Sequence, residues 1–304
     1  MRAQFAKTME SVGLEDSRLV VLVGDIGTFS LRGYEAQCPG RFFNVGIREQ
    51  TLASAAAGMA IMGYVPVIHS ITPFIVERCF EQLKDDFCYQ RLPGNVVSVG
   101  AGFDYSALGC THHSYSDIAM LKSLPGVQIV VPGSQTELDR LFRQTYDRGT
   151  LNYFRVGARV HDADIPLDQI QIGKGVFIRE GADLTIIAAG QLLRYAIEAA
   201  KELSSHCSCE IVYIHSIKPF DAEIVRESVK KTKNIIVLED HSIYGGLGDE
   251  VRRAVTCGTG IPARIRSLGV QDDFLREYGD FDHLAKVAGV DTASVVRAAR
   301  ELVP

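Results

Sequence analysis

The residues best placed to do chemistry lie in one stretch: Phe43, Asn44, Val45, Gly46, Ile47, Arg48, Glu49 and Gln50. Behind it, residues 51–62 are small and apolar, with hardly a polar side chain. A carboxylate that opens such a segment is drawn out of water, and a lone buried anion shares a proton or shifts its pKa upward. Glu49 therefore reads either as an acid kept dry for proton sharing or as a helix-start carboxylate favoured by capping and the helix dipole. Gly46 and the long apolar run weaken the second reading. Asp25 follows the apolar run 19–23 and Gly24. It is a ligand candidate at the carboxyl end of a strand, and equally an ordinary turn aspartate. Gly100, Ala101, Gly102 and Phe103 lead to Gly109, Cys110, Thr111, His112 and His113, a loop whose glycines let backbone approach a ligand. Its spacing is no dinucleotide fingerprint. The paired histidines could bind metal, titrate in catalysis or cap the next helix; metal is the weakest of these, with no Cys or carboxylate at ligand spacing.

These groups need a scaffold that brings them to one edge. Apolar runs at 19–23, 64–68, 95–99, 127–132 and 151–155 read as buried strands, the last carrying Arg155 at its carboxyl end. Helical patterns lie between them. One starts near Pro73, a residue tolerated in a first turn, and sets Phe74, Val76, Phe80, Leu83 and Phe87 at helical spacing; on spacing alone this stripe is core rather than a cofactor platform. A second series of strands falls at 184–189, 209–214, 234–239 and 263–267, again alternating with helices. The expectation is an α/β protein of two doubly wound domains, residues 1–158 and 177–304, joined by an acidic, aperiodic linker at 159–176. A chain of 304 residues is about right for two cores, and 46% hydrophobic with 23% charged residues describes a globular protein. A net charge of −5 gives no footing for nucleic acid or a membrane surface, and no run is long enough to span a bilayer. No secretory leader pattern is visible. Seven scattered cysteines, with only Cys207 and Cys209 close in sequence, suggest reduced thiols in a cytoplasmic protein and no metal site.

Val23, Gly24, Asp25 and Ile26, the 43–50 stretch, Ile71, Thr72, Pro73 and Phe74, the 109–113 loop, Asp240 with His241, and Gly245, Gly246, Leu247 and Gly248 stand in an order and spacing that resemble the transketolase family. The resemblance covers nearly the whole chain, but only the pyrimidine-binding and C-terminal domains of a full-length transketolase. The family's Gly-Asp-Gly and distant Asn, which hold magnesium and diphosphate, do not occur. The resemblance thus implies one subunit of a split transketolase, with magnesium on a separate diphosphate-binding subunit, assembly into a heterotetramer, and sugars or sugar phosphates as substrates.

It also implies thiamine diphosphate, whose C2 must lose a proton before it can act as a nucleophile. In the family a glutamate bonds N1′ of the aminopyrimidine and favours the tautomer whose N4′ takes that proton; Glu49 matches it. Phe74 resembles the aromatic stacked on the pyrimidine, and Ile26 the apolar wedge that keeps the cofactor bent. Asp25 resembles the polar partner at that turn. His112 matches the histidine beside the substrate carbonyl, with His113 a weaker candidate, and Arg155 resembles the arginine that holds a sugar phosphate. Two positions depart from the family: Leu108 stands where an Asp reads a substrate hydroxyl, and Gly100 where a histidine helps to hold phosphate. Loss of the acceptor at 108 points to a different donor, or one lacking that hydroxyl. The rivals are a beta chain of a 2-oxoacid dehydrogenase, the second half of deoxyxylulose-phosphate synthase, and a regulatory subunit without chemistry. The C-terminal domain is expected to serve assembly.

Overall fold

Runs of branched apolar residues without polar alternation suit strands covered on both faces. The computed structural model describes residues 1–257 and 260–303, and its central strands follow that rule, while the strands Phe42–Asn44, Gly175–Arg179 and Arg264–Val270 are partly exposed. The first half of the chain supplies β1 (Leu19–Val23), β2 (Phe42–Asn44), β3 (Val65–Ile71), β4 (Gly94–Val99), β5 (Gln128–Val130) and β6 (Leu151–Val156). The second supplies β7 (Gly175–Arg179), β8 (Leu184–Ala189), β9 (Cys209–Ile214), β10 (Ser216–Lys218), β11 (Asn234–Ser242) and β12 (Arg264–Val270). β1 is buried throughout: Leu19, Val21 and Val23 enter one apolar cluster, Val20 and Leu22 the cluster on the opposite face. β8 divides likewise, Leu184, Ile186 and Ala188 against Ile187. Each cluster runs through both halves of the chain, so the two sheets share continuous layers.

The seven-stranded sheet has the order β10-β5-β6-β4-β3-β1-β2 and is parallel except where β10 meets β5. The five-stranded sheet has the order β12-β11-β8-β9-β7, parallel except for β7 against β9. These are two mixed, largely parallel α/β sheets with helices around them. β1 lies between β2 and β3, so the chain leaves it in opposite directions, which opens a crevice at the carboxyl edge.

Several elements lie outside the sequence expectation. β2 and β10 have three residues each, too short for a periodicity to register. β10 comes from the second half yet completes the first sheet, and β7 begins inside the stretch read as linker. An N-terminal helix, Arg2–Glu15, buries Phe5, Met9 and Val12. The segment after β3 is no plain helix. It runs through two π-helical stretches, Pro73–Glu77 and Leu83–Tyr89, around a short α-turn, Phe80–Gln82. The wider turns shift the aromatic stripe: Val76, Leu83 and Phe87 are buried, while Phe74 and Phe80 are only partly covered.

Candidate functional site

The carboxyl ends of β1 and β2 are stitched together by Asn44. Its Oδ1 accepts from the amides of Asp25 (3.1 Å) and Gly46 (2.9 Å). Gly46 adopts φ 71°, left-handed backbone that favours glycine, and the Arg48 amide turns back to its carbonyl at 2.8 Å. That turn delivers Glu49 as the first residue of the helix Glu49–Ile61, where the dipole favours an anion. Glu49 is 1% exposed, and the one side chain that bonds its carboxylate among the described residues is Arg78, with Nη1 2.7 Å from Oε2. Gly24 lies beneath it; a Cβ there would stand 3.5 Å from Glu49 Cγ. Asp25, exposed, takes φ 69° just beyond β1, and Ile26 packs half-buried against the core.

Arg78 joins Glu49 to the next group. The π-turn (Arg78 N to Pro73 O, 3.1 Å) sets Arg78 one turn beyond Phe74, with its guanidinium 4.5 Å above the Phe74 ring. The Phe74 ring meets the His112 ring edge-on at 5.2 Å, and Tyr105 meets His112 at 5.8 Å. Arg2, exposed on the N-terminal helix, bonds the Tyr105 hydroxyl and lies over its ring. Glu49, Arg78, Phe74, His112, Tyr105 and Arg2 thus form a continuous strip from a dry acid to a cationic rim. His112 Nδ1 lies 2.9 Å from Thr111 Oγ1, while no partner for Nε2 occurs among the described residues.

Two expected substrate contacts are elsewhere engaged. Arg155 is 1% exposed. Its Nε meets Asp117 at 2.7 Å, Nη1 meets the Asp240 carboxylate at 2.5 Å, and Nη2 meets the Asp240 carbonyl at 3.1 Å. A guanidinium with no open face and each nitrogen bonded has no fork left for a sugar phosphate; it joins the two halves of the chain instead. His113 is 4% exposed, with Nδ1 2.6 Å from the Tyr115 hydroxyl and Nε2 3.3 Å from the Tyr105 carbonyl. Burial lowers its pKa, so it braces the loop as a neutral ring rather than reaching a substrate. Leu108 is 49% exposed and presents an apolar side chain next to Gly109, whose backbone is covered by Tyr278 from the second half.

Three members of the strip escape a reading of the sequence. Arg78 leaves a trace, standing four residues after Phe74 on a helical segment. Arg2 and Tyr105 leave none, since 103 residues separate them. Among the described residues no group of three or more His, Cys, Asp or Glu is placed to hold a metal ion, and no helix is long and apolar enough to cross a membrane. A cavity of about 600 Å³ between the linker and β7 lies apart from this chemistry, lined by Ile165, Val176, Ile178 and Ile197.

Known proteins are similar to this chain in sequence and fold. The family model described as "Transketolase, pyrimidine binding domain" matches residues 1–156, and "Transketolase, C-terminal domain" matches residues 173–295. The chain is 32% identical to the 6-deoxy-6-sulfo-D-fructose transketolase subunit SqwH of Clostridium sp. (strain MSTE9), covering 99% of this chain and 94% of that one. It is also 32% identical to an apulose-4-phosphate transketolase subunit of Phocaeicola vulgatus, covering 99% and 97%. A solved structure titled "Split gene transketolase, inactive beta4 tetramer" superposes with a TM-score of 0.88 at 28% identity, covering 99% of this chain and 97% of that one.

Proposed function

The chain belongs to the transketolase family, and from that premise we propose that it is the pyrimidine-binding subunit of a two-chain, thiamine-diphosphate-dependent transketolase. It moves a ketol unit between sugars and works with a separate diphosphate-binding chain. The observation that carries the reading is Glu49: a carboxylate 1% exposed at a helix start, next to an aromatic face. A flat heterocycle with a basic ring nitrogen fits that pairing, since Phe74 offers a stacking surface and Glu49 a dry hydrogen-bond partner. Thiamine diphosphate, when bound, supplies a carbon nucleophile that adds to a ketose carbonyl and passes a two-carbon unit to an aldose. With the cofactor bound, Glu49 would hydrogen-bond N1′ of the pyrimidine, Ile26 and Asp25 would line the β1 side, and Nε2 of His112 would be available to the substrate's carbonyl oxygen.

Support for a second chain comes from the two relatives named as subunits, which the chain covers over 94% and 97% of their length. The matched family domains are the pyrimidine-binding and C-terminal ones, so magnesium and diphosphate are assigned to the partner. Self-association within such an assembly accords with a structural relative described as a tetramer. Seven free thiols suit a reduced, cytoplasmic setting. With Arg155 committed internally, Arg2 is the cation at the cleft mouth for an anionic end of the sugar, phosphate or sulfonate. Leu108, 49% exposed, offers an apolar side chain in place of an acidic one, which favours a donor without the hydroxyl that an acid would read.

The test is reconstitution with the diphosphate-binding chain, followed by ketol transfer from a ketose donor. Glu49→Ala should lower kcat by about 10²–10⁴ with the fold intact. A turnover close to wild type would remove Glu49 from its assigned role, and carbon dioxide release from pyruvate with no sugar product would move the chain to the 2-oxoacid dehydrogenase branch.

A further inference from the structure

Glu49 and Phe74 are both already occupied, and by the same group. Arg78 donates from Nη1 to Glu49 Oε2 at 2.7 Å while its guanidinium carbon lies 4.5 Å from the centre of the Phe74 ring. A guanidinium is planar, delocalised and rich in N–H donors. It therefore makes the two contacts asked of an aminopyrimidine: a flat face on the aromatic ring and an N–H toward the carboxylate. A pyrimidine laid on the same face of Phe74 and aimed at the same oxygen, Oε2, would collide with the guanidinium.

We infer that Arg78 is a gate. Its guanidinium holds the seat that the cofactor's pyrimidine would take, and the side chain must swing out before thiamine diphosphate can bind. The inference rests on the cofactor assignment proposed above. The structure makes the swing feasible. The Arg78 side chain is 40% exposed and Glu49 is the one partner of its nitrogens among the described residues, so the outer face of the guanidinium is in water. The π-turn that carries it replaces a regular i→i+4 bond with the longer Arg78 N to Pro73 O bond, a local irregularity of the kind found at functional sites. The closed pair also keeps a dry carboxylate compensated, which an unpaired buried charge would not be. A ligand that arrives with its own hydrogen bond to Glu49 removes that need.

The experiment uses the full-length chain in two arms. Without ligand, a double-mutant cycle of Glu49→Gln and Arg78→Ala is read from denaturation midpoints; a gate requires the two substitutions to be non-additive, and additivity overturns it. With ligand, thiamine diphosphate is titrated calorimetrically into wild type and Arg78→Ala, each alone and with the diphosphate-binding chain. The gate predicts that Arg78→Ala binds about tenfold tighter, equivalent to about 1.4 kcal/mol. Equal or weaker binding overturns the gate and leaves the cofactor reading standing, because Arg78 would then be a wall of the bound site. No binding by either protein with the partner present overturns both.

Discussion

Two buried groups at the carboxyl edge of the first sheet show how position sets protonation. Glu49 is compensated by a cation. His69, near the end of β3 and 2% exposed, has no such partner among the described residues: burial pushes its pKa down to about 4, with its Nδ1 2.7 Å from the Val97 carbonyl. Nδ1 therefore carries the proton and donates, leaving Nε2 an acceptor beside Gly27. In the unfolded chain the ring titrates near 6.5, so below that pH unfolding takes up a proton the native state refuses. The contribution of neutral His69 is full above 6.5 and is lost as pH falls toward about 4, by on the order of 3 kcal/mol at the limit. An NMR titration should find the His69 ring neutral down to about pH 4, and a midpoint near 6.5 would contradict its burial. Glu49 itself was readable from its neighbours, since an acid opening an apolar helix states its own environment. Arg155 was not. A charged residue at a strand's carboxyl end looks alike whether it faces a ligand or two aspartates from distant parts of the chain.

At the level of elements, that arginine fastens three pieces: β6, which carries it, the helix Asp117–Lys122, and β11 through Asp240. Gln191 extends the junction by donating to both Asp104 and Asp240 at 2.9 Å. Replacing Arg155 by Leu would leave Asp117 and Asp240 buried without their cation, a change that destabilises by about 3–5 kcal/mol. Arg155→Lys, which keeps the charge but loses the fork, should fall between. Chemical denaturation checks this directly. A substrate-phosphate role predicts the opposite pattern, with stability untouched and KM raised. The strands that form these elements were largely legible, because runs such as Leu19–Val23 are apolar on both faces. Short edge pieces were not. β10 is held by pairing with β5 from the other half, a partner no local window contains. The π-turns after β3 were equally hidden, since they differ from an α-helix by one residue per turn and the sequence carries Pro73 in either case.

On the scale of the whole molecule, the surface that remains open is informative. The helix Glu49–Ile61 buries Leu52, Ala53, Ala56 and Ala57, while Thr51, Ser54 and Gly58 face outward at helical spacing and end on exposed Ile61 (69%) and Met62 (76%). Phe29 (79%) and Ile47 (71%) stand exposed near the other end of the same region. Large exposed side chains beside small ones on one face suit close packing against another chain, as the proposed division of the site between two chains requires. Gly58 separates folding from assembly. Nothing lies within 4 Å of a Cβ added there, so Gly58→Leu should not disturb the isolated chain. Removing a mid-helix glycine should stabilise it by up to about 1 kcal/mol. In a packed interface the same leucine would hold the helices apart. The expected outcome is a thermal midpoint unchanged or raised for the lone chain at low concentration, with loss of association in sedimentation and loss of ketol transfer on mixing with the partner. Undiminished association would show that this face stays in water, and the second chain would have to approach across another side of the β1–β2 crevice.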